Sequence, residues 1–127
     1  MTNSYIALDL ETTGLEARLD KITEIAALRV EDGRVEERFV TLVNPGRQLG
    51  ERITALTGIT DDMVKDAPVI EDTIGDVVRF CGNLPLLGHN ILFDYAFLKR
   101  AAVNSGLDFE REALIPLASA GCLCLRM

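Results

Sequence analysis

Residues 4–14 read SYIALDLETTG, a short apolar run that ends in two acids and a Thr-Thr-Gly turn. Its β-forming composition predicts a buried strand. Asp9 and Glu11 lie two residues apart at the end of that strand, so their carboxylates leave the same face. Two such carboxylates repel each other and are costly to bury without a counter-charge. Oxygen ligands of this kind suit Mg²⁺ or Mn²⁺, which would remove that cost.

The turn after Glu11 adds a second feature to the strand end. Thr12, Thr13 and Gly14 offer hydroxyl groups and backbone N–H groups, which can bind a phosphate. The alternative is a polar strand end that only faces water, because the ends of strands are often acidic by chance. Spacing alone leaves both interpretations open.

Two further strands follow this first strand. Residues 21–31 (KITEIAALRVE) alternate between apolar and polar positions, and residues 34–43 alternate again. The Asp32-Gly33 dipeptide between them is typical of a two-residue hairpin turn. The sequence therefore predicts an antiparallel three-stranded meander.

The period then changes to that of helices. Apolar spacing and capping signals predict helices at residues 51–57, 60–66, 70–81 and 91–104, with a short apolar strand at 84–87. This order predicts an α/β fold with a mixed sheet, in which a parallel strand joins the meander and helices flank it. We expect one domain over residues 1–112 and an atypical tail over 113–127, where ALIPLASAGCLCL carries no charge.

Composition excludes several classes of protein. The chain has 127 residues, 48% of them apolar, which excludes intrinsic disorder. It has no apolar run of 18 residues and no basic leader, so we expect neither a membrane span nor a signal peptide. Three cysteines and one histidine predict a reducing, cytoplasmic setting without a zinc site. The net charge of −7 counts against direct phosphate binding, unless bound cations replace basic side chains.

A third acid, Asp94, lies in the segment GHNILFDYAFL at residues 88–98. It falls in the first turn of a predicted helix, where the helix dipole favours an anion, so alone it is best explained as a helix-start acid. Phe93 and Phe97 flank Asp94. They are core residues or a stacking surface for a base, and we expect most of their ring area to be core.

Together these segments resemble the DnaQ-like 3′–5′ exonuclease family of the DEDD superfamily, which includes the proofreading ε subunit of bacterial DNA polymerase III and the exonuclease domain of polymerase C. The resemblance covers residues 4–110 and consists of DLETTG after a first strand, the meander, LTGIT at 56–60 and GHNILFDYAFL. It implies a ribonuclease-H-like fold, two Mg²⁺ or Mn²⁺ ions, and hydrolysis of phosphodiesters at the 3′ end of single-stranded DNA or RNA. A DNA polymerase is the partner that it suggests.

The resemblance also implies roles for individual residues. Asp9 would bridge both ions, Glu11 would hold one, and Asp94 would act largely through water. The remaining positions would border the terminal nucleotide: Thr12, Thr13, Gly14, Leu15, Thr57, Gly58, Ile59, Asn90, Phe93 and Phe97.

One part of the family pattern is missing from this sequence. The family closes its site with a general-base histidine followed a few residues later by a metal-binding aspartate, whereas here no histidine follows His89 and the last aspartate is Asp108. The sequence resembles a family member cut short, as a fragment or by a frameshift. We expect His89 to pack or to form hydrogen bonds rather than act as the base. We expect residues 113–125 to be poorly packed or to mediate self-association.

Two alternatives to an active exonuclease stay open. The missing third motif favours a degenerate domain that binds a metal or a nucleotide without turnover. A haloacid-dehalogenase-type phosphatase is less well supported, because its D-x-D-x-T signature needs an aspartate where this chain has Glu11. Glu24, on a neighbouring strand, is a further carboxylate whose direction the sequence does not show.

Overall fold

A computed structural model describes residues 3–111 and 113–116 of the chain. The elements, in chain order, are β1 (Ser4–Thr12), β2 (Ile22–Glu31), β3 (Arg34–Leu42), α1 (Gly50–Thr57), α2 (Asp61–Val64), α3 (Ile70–Cys81), β4 (Leu86–Gly88), α4 (Ile91–Asn104) and β5 (Leu114–Pro116). The five strands form one mixed sheet in the order β3-β2-β1-β4-β5. The predicted α/β class with a meander, a parallel strand and flanking helices is confirmed.

The meander forms three of the five strands of the sheet. β1 pairs antiparallel with β2, and β2 pairs antiparallel with β3. Asp32 and Gly33 connect the second pair, and both have positive φ, 50° and 80°. That is the type I′ geometry whose twist matches the flanking strands, and it explains why an Asp-Gly dipeptide stands here.

The parallel half of the sheet begins with β4, beside β1. The predicted strand at 84–87 is displaced, since β4 runs from Leu86 to Gly88. Gly88 is the last residue of β4 and lies close to β1. A Cβ at this position would be 2.8 Å from the carbonyl oxygen of Leu8. β5 then pairs parallel with β4, so the strand Leu114–Pro116 belongs to the sheet although it lies beyond the predicted boundary after residue 112. Residues 117–127 lie outside the described residues, as does most of the predicted tail.

Helices α3 and α4 cover one face of the sheet. Their apolar stripes supply Ile74, Val77, Phe97 and Leu98, which pack against Ile6, Leu8, Leu10 and Ile25 of the strands. The predicted bounds of both helices agree with the structure. No helix in the described part of the chain is long and apolar enough to cross a membrane.

The two shorter helices form a separate unit beside the sheet. Leu49, Ile59 and Val64 make its small core. Thr60 begins α2 as predicted, because its side-chain oxygen accepts a hydrogen bond from the backbone N–H of Met63 at 3.2 Å. Asp61 and Asp62 occupy the first turn, where acids are favoured.

Candidate functional site

The central strand of the sheet carries the first two predicted site residues. Asp9 and Glu11 lie near the carboxyl end of β1 and are both half-buried. Their side chains project from one face of the sheet. Leu8, before Asp9, and Leu10, between the two acids, point into the core under the helices. The alternation of β1 therefore separates a carboxylate face from an apolar face.

Asp94 reaches the same region from α4. It lies in the first turn of that helix, and its backbone N–H donates to the carbonyl oxygen of Asn90 at 3.2 Å. Its side chain is only 5% exposed. Burial, and then the neighbouring negative charges of Asp9 and Glu11, raise the pKa of the Asp94 carboxyl from 3.8 to about 7. The structure thus brings together the three acids, which are separated by up to 85 positions in sequence.

Asp9, Glu11 and Asp94 supply the oxygen ligands that a hard divalent cation prefers, but they do not form a complete coordination sphere. Among residues 3–111 and 113–116, no group of three or more His, Cys, Asp and Glu side chains has the arrangement of a metal site. Mg²⁺, however, is commonly held by one or two carboxylates together with water and substrate phosphate oxygens. A cation would also relieve the repulsion that raises the pKa of Asp94. The carboxylates therefore suit an ion that substrate and solvent help to hold.

The Thr-Thr-Gly turn is organised by its own hydrogen bonds. The Thr12 hydroxyl donates to the carbonyl oxygen of Gly14 at 2.6 Å. The Thr13 hydroxyl donates to Asp20 at 3.2 Å and accepts from the Lys21 N–H at 2.9 Å. The hydroxyls that we expected to face a phosphate thus fix the turn after β1.

Asp20 is a residue that the sequence analysis missed. Its carboxylate accepts from the backbone N–H of Glu16 at 3.0 Å, and a Cβ added to Gly14 would meet it at 2.4 Å. Glycine at position 14 therefore lets the Asp20 carboxylate lie close to the backbone of the turn. The loop that Asp20 holds presents Leu15, 84% exposed, beside the turn. No local signal distinguishes Asp20 from an ordinary acid before a strand.

The predicted loop at residues 57–59 has a structural role at the end of α1. Gly58 is left-handed, with φ 76°, and its N–H donates to Thr54. The Thr57 hydroxyl donates to the carbonyl oxygen of Ile53 and accepts from the N–H of Ile59. Ile59 is 4% exposed and belongs to the small core between α1 and α2. A contact between this loop and a nucleotide stays a prediction.

The start of α4 carries the remaining predicted residues. Asn90 precedes the helix and is exposed, without a side-chain capping bond. Phe93 is half-buried and its ring centroid lies 4.9 Å from that of Phe97. Phe97 is 4% exposed and is a core residue, in agreement with the expectation that most of this ring area is core. Of the two rings, only Phe93 has surface available for stacking.

Three other predicted features have clear positions. Glu24 on β2 pairs directly with Glu11 on β1, so it lies on the carboxylate face. His89 follows β4 as expected but is exposed rather than packed. Cys81 is buried, and burial raises the pKa of its thiol to about 11, against the smaller opposing effect of Arg111. Cys122 and Cys124 lie outside the described residues.

Comparison with known proteins gives a consistent result. The chain is 45% identical over 108 residues to a PolC-type DNA polymerase III of Bacillus subtilis, covering 85% of this chain. It is 36% identical over 121 residues to the PolC-type DNA polymerase III of Thermotoga petrophila, covering 94% of this chain. The chain spans less than a tenth of the length of these relatives, 7% and 9% respectively.

Solved structures show the same fold. A product-bound structure of exonuclease I superposes with a TM-score of 0.79 at 18% identity, over 92% of this chain and 30% of that chain. The structure of E. coli exonuclease I in complex with a dT13 oligonucleotide gives a TM-score of 0.76 at 19% identity, over 90% of this chain and 28% of that chain.

The match to a family model decides the assignment. The Exonuclease (RNase_T) model matches residues 6–116, a range that begins within β1 and ends with β5. That range contains the carboxylate face, the turn after β1 and the start of α4. On this evidence the chain belongs to the Exonuclease (RNase_T) family.

Proposed function

We propose that this domain hydrolyses phosphodiesters at the 3′ end of single-stranded DNA or RNA with the help of two Mg²⁺ or Mn²⁺ ions. The observation that carries the proposal is the convergence of Asp9, Glu11 and Asp94. Burial, and then the negative charges of Asp9 and Glu11, raise the pKa of the Asp94 carboxyl to about 7. Such perturbed, clustered acids are typical of functional sites.

Each carboxylate has a position suited to the role that the family resemblance implies. Asp9 would hold both ions, Glu11 one of them, and Asp94 would act through water from the start of α4. Bound ions would supply an activated water and stabilise the attacking and leaving oxygens in line. The sheet and α4 hold the three side chains before substrate arrives, which lowers the cost of ordering them.

The surrounding residues would hold the terminal nucleotide. Leu15, on a loop fixed by Thr12, Thr13 and Asp20, is exposed and suited to contact a base or sugar. Phe93 packs against Phe97 and is only half-buried, so part of its ring is available to a base. Asn90 is exposed and directly precedes α4, and its side-chain amide can donate to or accept from a sugar or phosphate oxygen.

A DNA polymerase is the partner that we propose. The relatives named above are PolC-type DNA polymerases III, and this chain corresponds to a small share of each. We therefore infer that the domain works next to a polymerase in the cytoplasm and acts on strands that the polymerase has extended.

A non-catalytic metal- or nucleotide-binding domain is the second candidate. It is favoured by one sequence fact: residues 90–127 contain no histidine, and residues 109–127 contain no aspartate. Loss of a general base alone typically costs about 10²–10⁴ in rate. We expect little turnover from this 127-residue chain, although binding of a nucleoside monophosphate survives. The family assignment leaves the phosphatase alternative without support.

Digestion of a labelled single strand tests the proposal and separates the two candidates. The chain is incubated with Mn²⁺ and a 5′-labelled DNA or RNA oligonucleotide, beside its Asp9→Ala variant, and the shortening of the labelled strand is measured. Turnover that disappears in the variant supports an exonuclease, and robust turnover would contradict the expected impairment. Binding of thymidine monophosphate without turnover, lost in the variant, supports the second candidate.

A further inference from the structure

The register of β1 and β2 adds a fourth carboxylate to the candidate site. Glu11 pairs directly with Glu24, and Asp9 pairs with Ala26. Directly opposite residues of an antiparallel pair lie on the same face, with Cβ atoms about 4.5–5.5 Å apart. Glu24 therefore stands beside Glu11 on the carboxylate face. A β-bulge follows this pair, since Thr12 pairs with Ile22 and leaves Thr23 as the extra residue.

The order of the strands places Glu24 on the outer side of Glu11. β1 lies between β4 and β2, and Asp94 approaches from the β4 side, at the start of the helix that follows β4. Glu11 thus lies between Asp94 and Glu24. Glu24 is half-buried, so solvent screens its charge only in part.

We propose that Glu24 is a positioning residue that orients Glu11 and strengthens the binding of the divalent cation held by Glu11. This inference depends on the proposed function, because it concerns the same cation. Glu24 acts through Glu11, by fixing the orientation of the Glu11 carboxylate. Residues of this kind typically change metal affinity by about 10- to 100-fold when they are substituted.

Thermal unfolding in the presence of Mn²⁺ tests this role without measuring turnover. We would compare the parent chain with Glu24→Gln and with Glu36→Gln, which removes the same charge from an exposed position on β3. In Glu24→Gln we expect the metal-free Tm to match that of the parent, because glutamine keeps the size and shape of the side chain. The Mn²⁺ concentration for half-maximal stabilisation should rise about 10-fold. Glu36→Gln should match the parent in its response to Mn²⁺.

A double variant separates positioning from independent binding. If Glu24 acts through Glu11, Glu11→Gln with Glu24→Gln should bind Mn²⁺ as weakly as Glu11→Gln alone. Additive losses would overturn the proposal in favour of an independent ligand. A parent-like response of Glu24→Gln to Mn²⁺ would overturn it while leaving the proposed function intact. A parent chain that does not respond to Mn²⁺ would overturn both. A metal-free Tm below that of the parent would show a structural role instead.

Discussion

Asp94 shows how a single buried carboxyl links the fold to its site. Burial and the charges of Asp9 and Glu11 raise its pKa to about 7, compared with 3.8 in the unfolded chain. A raised folded-state pKa contributes stability that is fully present below about pH 4 and is lost as the pH rises through about 7. The metal-free protein should therefore lose up to about 4 kcal/mol of stability from this group over that range.

The variant Asp94→Asn keeps the shape of the side chain and removes the titration. Urea denaturation between pH 4 and pH 8, without divalent ions, should give a free energy of unfolding that falls with pH more steeply in the parent than in the variant. Equal pH slopes in the two proteins would show that Asp94 is not perturbed as described.

Asp9 and Glu11 govern a second prediction at the residue scale. If they hold the cations, Mn²⁺ should stabilise the parent chain, since a ligand that binds only the folded state raises Tm. The double substitution Asp9→Ala with Glu11→Ala should abolish this thermal shift. The reference Tm is measured in a buffer that contains a chelator and no divalent ions. An unchanged shift in the double variant would place the cations elsewhere.

At the scale of elements, the contact of β1, β4 and α4 determines the geometry of the carboxylates. Gly88 ends β4, and a Cβ there would lie 2.8 Å from the Leu8 carbonyl oxygen and 3.2 Å from Ile91. Gly88→Ala should force β4 away from β1 and cost about 1–3 kcal/mol of stability.

Gly75→Ala provides the matched control for this substitution. Gly75 lies within α3, and its added Cβ would make only an ordinary contact, 3.5 Å from the flexible Arg79 side chain. Alanine is the better helix former, so this variant should gain about 0.5–1 kcal/mol. Chemical denaturation of both variants should give changes of opposite sign, and a neutral Gly88→Ala would contradict the close packing.

At the scale of the whole molecule, the second face of the sheet is apolar away from the carboxylates. Ala7, Leu28, Val30 and Leu87 form a small cluster there. The uncharged sequence at 113–125 includes β5, which lies at the edge of the same sheet. We predict that residues 113–125 drive self-association, because an uncharged and mainly apolar stretch favours association.

Light scattering over a concentration series checks this prediction. The parent chain should increase in mean mass with concentration, while Leu123→Lys with Leu125→Lys should reduce that increase at unchanged thermal stability. A parent chain that stays monomeric at all concentrations would show that the segment has no such role.

Sequence patterns predicted the order of the elements from β1 to α4 and the bounds of α3 and α4, whereas β4 was displaced and β5 lay beyond the predicted domain boundary. The alternation of β2 and β3, the Asp-Gly turn, the Thr60 cap and the apolar stripes of α3 and α4 are local patterns, which depend on residues within one or two turns. Local patterns made Asp9 and Glu11 candidate site residues, and the resemblance of the DLETTG and GHNILFDYAFL segments to a known family added Asp94.

Which of these residues meet depends on contacts between elements that are distant in sequence. The pairing of Glu11 with Glu24 depends on strand register, the tight approach at Gly88 depends on a parallel neighbour, and the role of Asp20 depends on a loop folding back on Gly14. The pKa of Asp94 likewise depends on burial by elements distant in sequence. These are contacts between segments, and their free energies come from desolvation and charge proximity, which no single segment of the chain encodes.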